Sequence, residues 1–379
     1  MAMSCMICER GFIKMKKRIW RSKTVQAVFL AAAAAALCGC GNKEGGKESA
    51  DRIPEGGKYG PIWENTVLGP NGEKTVAIKV ADFLAEDNPV NRSLNERLKP
   101  MLEEKTEGRY TLEVYADGDL GGETDFLKGI KRGTIEMGIS GVELSEEFPM
   151  LKAVDFPFVF EDIDSSFYAL SDTEVMEALN ESLRPSGIIC KGFVLTGIRS
   201  ISNNVRPIRT PEDCKGLTLR TPNVTQFIDY AQRLGFKTIN ASVPEIFTVL
   251  QQNQADGQEN PPTTFLTSGW YKVQKYLSLT KHQITYNWLA VNREFYDSMT
   301  EKDREAFDEC CRIYTESLKE AYKKREASDL ETLKELGVEI IEVDREPFRA
   351  VGNEMIEDYK KRYPDFQRML EMLRQKGAK

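Results

Sequence analysis

The sequence predicts an α/β protein of about two domains with a helical C-terminal region. Three observations lead there. The chain has 379 residues, more than one small core organises. From Thr75 onward strand and helix signals alternate with short connections, and after Asp297 helical periodicity runs nearly to Lys376.

Thr75–Phe83 predicts a strand and Asn88–Thr106 a helix, with Leu94, Leu98, Met101 and Leu102 at helical spacing and Gly108 closing it. Tyr110–Tyr115 follows as a strand, Gly121–Arg132 as a helix closed by Gly133, and Ile135–Ile139 as an alternating strand. Such a βαβαβ run implies a largely parallel sheet covered by helices, with ligands at the carboxyl ends of the strands. A second block holds strands over Gly187–Leu195, Arg199–Ser202, Gly216–Arg220 and Lys237–Asn240, with a helix near Val224–Gly235. Ser242-Val-Pro-Glu245 is a capping box that opens a helix with Ile246, Val249 and Leu250 on one face, ended by Gly257. Tyr271–Leu279 and Gln283–Val291 give further strand or helix–strand signals, and Val338–Val343 interrupts the final helices as a strand.

The first 39 residues are expected to be a processing segment. Lys14, Lys16, Lys17, Arg18, Arg21 and Lys23 precede the apolar stretch Val25–Leu37, and Leu37-Cys38-Gly39-Cys40 resembles a bacterial lipobox. Cleavage before Cys40 would leave that cysteine for lipid attachment; the alternative is an ordinary secretory signal. Met15 is the more natural start, which makes Cys5-x-x-Cys8 incidental to metal binding. Residues 40–74, rich in Gly, Lys, Glu and Asn, are expected to be a flexible tether.

Removing residues 1–39 takes away seven Lys/Arg and one Glu and leaves 45 basic against 58 acidic side chains, a net charge of about −13. That balance excludes nucleic acid, which demands a basic surface. Beyond residue 40 no apolar run approaches the ~18–20 residues of a membrane span. Cys190, Cys214, Cys310 and Cys311 match no metal spacing and no disulfide framework, and are expected to be structural. His282 is the only histidine, and no nucleophile motif, phosphate loop or dinucleotide fingerprint accompanies it. No cofactor and no metal are expected.

The segment from Lys215 to Pro261 holds the most informative polar groups. Arg220 ends an alternating strand, and Pro222 biases Thr221 toward an extended conformation. A buried guanidinium needs an anion, either a ligand carboxylate or an internal Asp or Glu, and spacing does not choose between them. Arg199 lies in a similar strand context, and two arginines on neighbouring strands would repel unless an anion lay between them. Asn260, in Ala-Asp-Gly-Gln-Glu-Asn-Pro, reads as a turn-borne amide.

Gly-Leu-Thr-Leu-Arg-Thr-Pro, Val-Pro-Glu-Ile-Phe-Thr-Val-Leu-Gln-Gln, Ala-Asp-Gly-Gln-Glu-Asn-Pro and Trp-Tyr-Lys-Val-Gln-Lys-Tyr-Leu occur in order. This series resembles the DctP-type solute receptors of TRAP (tripartite ATP-independent periplasmic) transporters across about Thr75–Gln367. The resemblance implies a two-lobed, type II-like periplasmic-binding-protein clamshell with a long connecting helix. Lobe 1 would comprise residues 75–197 and 285–300, lobe 2 residues 198–284, and residues 301–379 would pack helices across both.

The resemblance also implies a carboxylate salt bridge at Arg220, a second arginine at Arg199 and a ligand-contacting amide at Asn260. Glu123 would sense ligand hydroxyls, with an early-helix Glu favoured by the dipole as the alternative. Ser140, Asn223, Val243 and Phe83 fall beside the ligand, with Trp288, Tyr286 and Trp270 as further candidate cleft aromatics. Gly141 stands near a point where some sialic-acid-binding members carry Glu. His282 is expected to make a structural or interlobe hydrogen bond.

The implied function is a monomeric, lipid-anchored extracytoplasmic receptor, not an enzyme. It would pass a sugar acid or a C4-dicarboxylate to small and large TRAP membrane subunits. The alternatives are a solute sensor for a signalling partner and a secreted enzyme acting on acidic sugars.

Overall fold

The structure, a computed structural model, describes residues 66–68, 72 and 74–378. The expected signal segment 1–39 and the lipid-attachment residue Cys40 lie outside the described residues. Most of the tether expected over 40–74 lies outside the described residues, and its described part includes strand where a flexible chain was expected. Thr66–Leu68 (β1) is a strand paired antiparallel with the start of the next one, because it offers ladder hydrogen bonds to an otherwise open edge.

The strands run in chain order as β2 (Lys74–Asp82), β3 (Tyr110–Tyr115), β4 (Met137–Ser140), β5 (Ile188–Asn203), β6 (Thr218–Thr221), β7 (Lys237–Asn240), β8 (Gly257–Asn260), β9 (Tyr276–Asn292) and β10 (Glu339–Glu342). The helices are α1 (Pro89–Ser93), α2 (Lys99–Lys105), α3 (Glu123–Arg132), α4 (Ile163–Leu170), α5 (Thr173–Leu183), α6 (Thr225–Arg233), α7 (Ile246–Gln251), α8 (Pro262–Thr267), α9 (Arg293–Ser298), α10 (Glu301–Glu335), α11 (Glu346–Arg362) and α12 (Pro364–Gly377). The single helix expected over Asn88–Thr106 is interrupted by a π turn, Leu94–Leu98, in which Lys99 N–H reaches back to Leu94 O. Pro100, which offers no N–H, sits just beyond that irregularity.

One mixed sheet runs β1-β2-β4-β9-β5-β8-β6-β7, with β3 beside β2 and β10 beside β9. Its two ends are parallel as expected: β2 with β3 and β4, and β6 with β7 and β8. Its middle is not. The two runs expected at Gly187–Leu195 and Arg199–Ser202 are one 16-residue strand, and the two at Tyr271–Leu279 and Gln283–Val291 resolve into one 17-residue strand. These two, β5 and β9, pair antiparallel along their length, with register shifts that bend the ribbon. A two-lobed α/β body results, with the crossing ribbon shared by both ends.

Helix α10 ties the ends together. Its Tyr314 and Tyr322 hydroxyls donate to Val90 O (3.1 Å) and Asn88 Oδ1 (2.9 Å), and its Asp329 accepts from Thr263 Oγ1 (2.6 Å) in α8. Cys310 and Cys311 are buried on this helix, and they, Cys190 and Cys214 are free thiols in the core. Burial of the Leu, Ile, Val and Phe side chains along β2, β4, β5 and β9 contributes about 1.5–3 kcal/mol each. A second cluster around Ile246, Phe265, Trp270 and Leu277 supports the β8 side.

Candidate functional site

The carboxyl ends of β2, β4, β6 and β8 converge with the middle of β5 and β9 on one cavity. Phe83 and Leu84 follow β2, Gly141–Glu143 follow β4, Arg220 and Pro222 come from β6 and its exit, and Asn260 ends β8. Thr196 and Arg199 enter from β5, Thr285 and Asn287 from β9. The cavity offers ≈ 50 Å³ to the centres of water molecules. One water needs about 10–15 Å³, so the space has room for several waters or part of a small molecule.

Arg220 is 1% exposed. Its Nε donates to Ala241 O at 2.8 Å, and Nη2 donates to the same carbonyl. Among the described residues no carboxylate lies within ion-pairing distance of it. Burial pulls its pKa down to about 9, so it remains a cation at neutral pH.

Arg199 differs. The anion that neighbouring arginines call for is supplied at Arg199 by Glu259, an internal carboxylate. Arg199 Nε and Nη2 donate to Glu259 Oε2 and Oε1 at 2.5 and 2.7 Å, and Nη2 also to Glu259 O at 2.7 Å. Its guanidinium rests over the Phe227 ring at 5.1 Å. His282 Nε2 lies 3.3 Å from Glu259 Oε2, and its Nδ1 bonds Thr280 Oγ1 at 2.8 Å. Burial opposes ionisation of Glu259, but Arg199 and His282 outweigh it and bring the carboxyl down to about 2. Glu259 escapes a sequence reading because β-strand alternation does not say which acid meets which arginine; its place beside Asn260 was the available signal.

Asn260 is a strand residue, not a turn residue as expected, because β8 pairs with β5 through Ser200↔Asn260. It lines the cavity, and its Nδ2 donates to Gln258 Oε1 at 2.6 Å. Glu123 opens α3 and accepts from Ser140 Oγ (2.9 Å), Val142 N–H (3.2 Å) and Glu143 N–H (3.1 Å). Burial, reinforced by the Glu143 charge, pushes its carboxyl up to about 8. Val243 and Phe83 line the cavity as well.

Two candidate residues do not line the cavity. Ser140 is fully buried behind Glu123, with its hydroxyl spent on that carboxyl. Asn223 is exposed and accepts from Asn240 Nδ2 at 2.9 Å, beside a separate depression that includes Thr124 and Lys131. Pro222 occupies the wall, and the chain turns outward after it. Of the aromatics, Trp288 donates to Gly141 O at 2.9 Å from behind the site, Tyr286 bonds Ser166 in the core, and Trp270 is buried in the second cluster.

The sequence profile described as bacterial extracellular solute-binding protein, family 7 (DctP) matches residues 80–364. The chain belongs to this family. DctP-family proteins are the solute receptors of TRAP systems. The 2,3-diketo-L-gulonate-binding periplasmic protein YiaO of Escherichia coli K12 is 28% identical over 274 residues, 71% of this chain and 82% of that protein. A TRAP periplasmic solute-binding protein of Haemophilus influenzae RdAW, solved with bound L-gulonate, superposes with a TM-score of 0.76 at 26% identity, covering 79% of this chain and 99% of that one. Another from Sulfitobacter sp. NAS-14.1, with bound β-D-galacturonate, gives 0.74 at 27% identity, covering 79% and 99%. The two-lobed fold expected from the resemblance is the fold these DctP-family structures share.

Proposed function

We propose that this chain is the receptor of a TRAP transporter for a sugar acid, a hexuronate or an aldonate. The ligand carboxylate lies on Arg220 and its hydroxyls meet Glu123 and Asn260. The observation that carries this reading is the charge inventory of the cavity. Glu259 already neutralises Arg199, so Arg220 is the one buried cavity cation without a carboxylate partner among the described residues. One unmatched cation suits one carboxylate. A second carboxylate would meet the carboxylate of Glu143, whereas a sugar hydroxyl can donate to it.

In this reading residues 75–197 with 285–300 form one lobe and residues 198–284 the other, and they close on the ligand by a hinge motion. The loaded receptor is then presented to the small and large membrane subunits, which use an ion gradient. A lipid on Cys40 holds the receptor at the outer face of the membrane; among the described residues no helix is long and apolar enough to cross it. The receptor acts as a monomer and performs no chemistry on its ligand.

A thermal-shift screen against hexuronates, aldonates, C4-dicarboxylates and the corresponding neutral sugars tests the reading. A ligand at about 100 times its Kd adds about 2.7 kcal/mol, so a sugar acid should raise Tm by several degrees. A response to dicarboxylates alone, or equally to neutral sugars, would overturn it.

A further inference from the structure

We propose that Glu146 and Lys152 form a clasp across the cleft that caps helix α6 only in the closed arrangement, and so raises ligand affinity without touching the ligand. The inference rests on the cleft-closing receptor reading above.

Helix α6 starts without a cap of its own. Val224 at its N-cap has no side-chain oxygen, and its first turn holds no acidic residue. The acceptor comes from Glu146, 79 residues earlier. Its Oε1 accepts from Thr225 N–H at 2.9 Å and its Oε2 from Thr225 Oγ1 at 2.6 Å. Lys152 Nζ donates to Glu146 Oε1 (2.6 Å) and Gln226 Oε1 (3.1 Å), and Gln226 Nε2 donates to Ser145 Oγ (3.1 Å). Lys152 is 2% exposed and Gln226 fully buried, so both depend on these partners.

The contact joins what the sheet keeps apart. Ser145, Glu146 and Lys152 follow β4, while Thr225 and Gln226 follow β6, and β9, β5 and β8 lie between those two strands. The far end of α6 is held separately by α11, through Tyr230 Oη to Phe348 O (3.3 Å) and Arg233 to Asp358 (2.9 Å). The first turn of α6 takes its side-chain acceptor from the β4 side. Opening the cleft would strip the helix of its cap, and closing it would restore cap, ion pair and amide bond together. None of Glu146, Lys152, Thr225 or Gln226 lines the ligand cavity.

Calorimetric and stopped-flow titration of the full chain with L-gulonate and with D-galacturonate tests the clasp in Glu146→Ala and Lys152→Met. Glu147→Ala serves as control, because Glu147 pairs with Lys131 on its own side of the cleft (2.6 Å). Loss of charged hydrogen bonds present only in the closed form should weaken Kd about 10-fold or more, through faster dissociation. The unliganded Tm of Glu146→Ala and the affinity of Glu147→Ala should stay at the wild-type values. Wild-type affinity in both clasp variants would overturn the clasp alone, as would an affinity loss matched by an equal fall in unliganded stability. Failure of the wild type to bind either acid would overturn the sugar-acid reading, and the clasp's role in holding such a ligand with it.

Discussion

Glu259 grips Arg199 with both carboxylate oxygens, at 2.5 and 2.7 Å, and thereby leaves Arg220 as the unmatched buried cation of the cavity. Two arginines that look alike in the sequence therefore differ in energetics. Arg199→Ala strands Glu259 in the interior and should cost about 3–5 kcal/mol in urea or thermal unfolding. Arg220→Met removes a desolvated charge that has no ion-pair partner, so the unliganded Tm should hold or rise. Equal destabilisation by the two substitutions would contradict this division of roles.

The buried carboxyl of Glu123 makes stability depend on pH in a definite direction. Its pKa is about 8 in the folded chain, against about 4.3 when unfolded. The folded state binds this proton more tightly, so its contribution to stability declines as pH rises through that window. Glu123→Gln should flatten the decline: melts at pH 5 and pH 8.5 should differ less than in the wild type. Parallel profiles would count against a buried, protonated Glu123.

Glu259 has the opposite sign. Its carboxyl is held at about 2, below its unfolded value, so its contribution is fully present above about pH 4.5 and is lost as pH falls toward 2. Acid unfolding of Glu259→Gln, followed by circular dichroism, should show a smaller loss over that interval than the wild type, from a lower starting stability. A steeper acid loss in the variant would contradict the pairing.

Gly141 is a packing requirement of the site. A Cβ there would stand 2.8 Å from Glu123 Oε2 and 3.1 Å from the Phe83 ring. Gly141→Ala should therefore displace Glu123 or Phe83, cost about 1–3 kcal/mol of stability, and weaken sugar-acid binding more than Ala substitution at exposed Asn223. Titration of both variants checks the order, and equal affinities would contradict it.

Much of this arrangement was legible in the sequence. The alternation at Leu217, Leu219 and Arg220 with Pro222 behind it located the β6 end, and local turn chemistry located the capping box at Ser242–Glu245, which the structure contains. Glu123 was visible as the first acid of a helix. What was not legible depends on pairing across long distances. Glu259 as the partner of Arg199 and the fusion of split strand signals into β5 and β9 follow from sheet register. Nor could strand period tell which residues after a strand end turn inward. Pro222 does and Asn223 does not, a difference set by the backbone path beyond β6.

The most direct test is calorimetric titration of wild type and Arg220→Ala with L-gulonate and β-D-galacturonate, and with neutral galactose, all at pH 7. At least one acid should bind the wild type, galactose should not, and Arg220→Ala should lose about 2–5 kcal/mol of affinity with its fold intact. An unchanged Kd for the acid in Arg220→Ala would contradict the assignment of Arg220 as the carboxylate anchor.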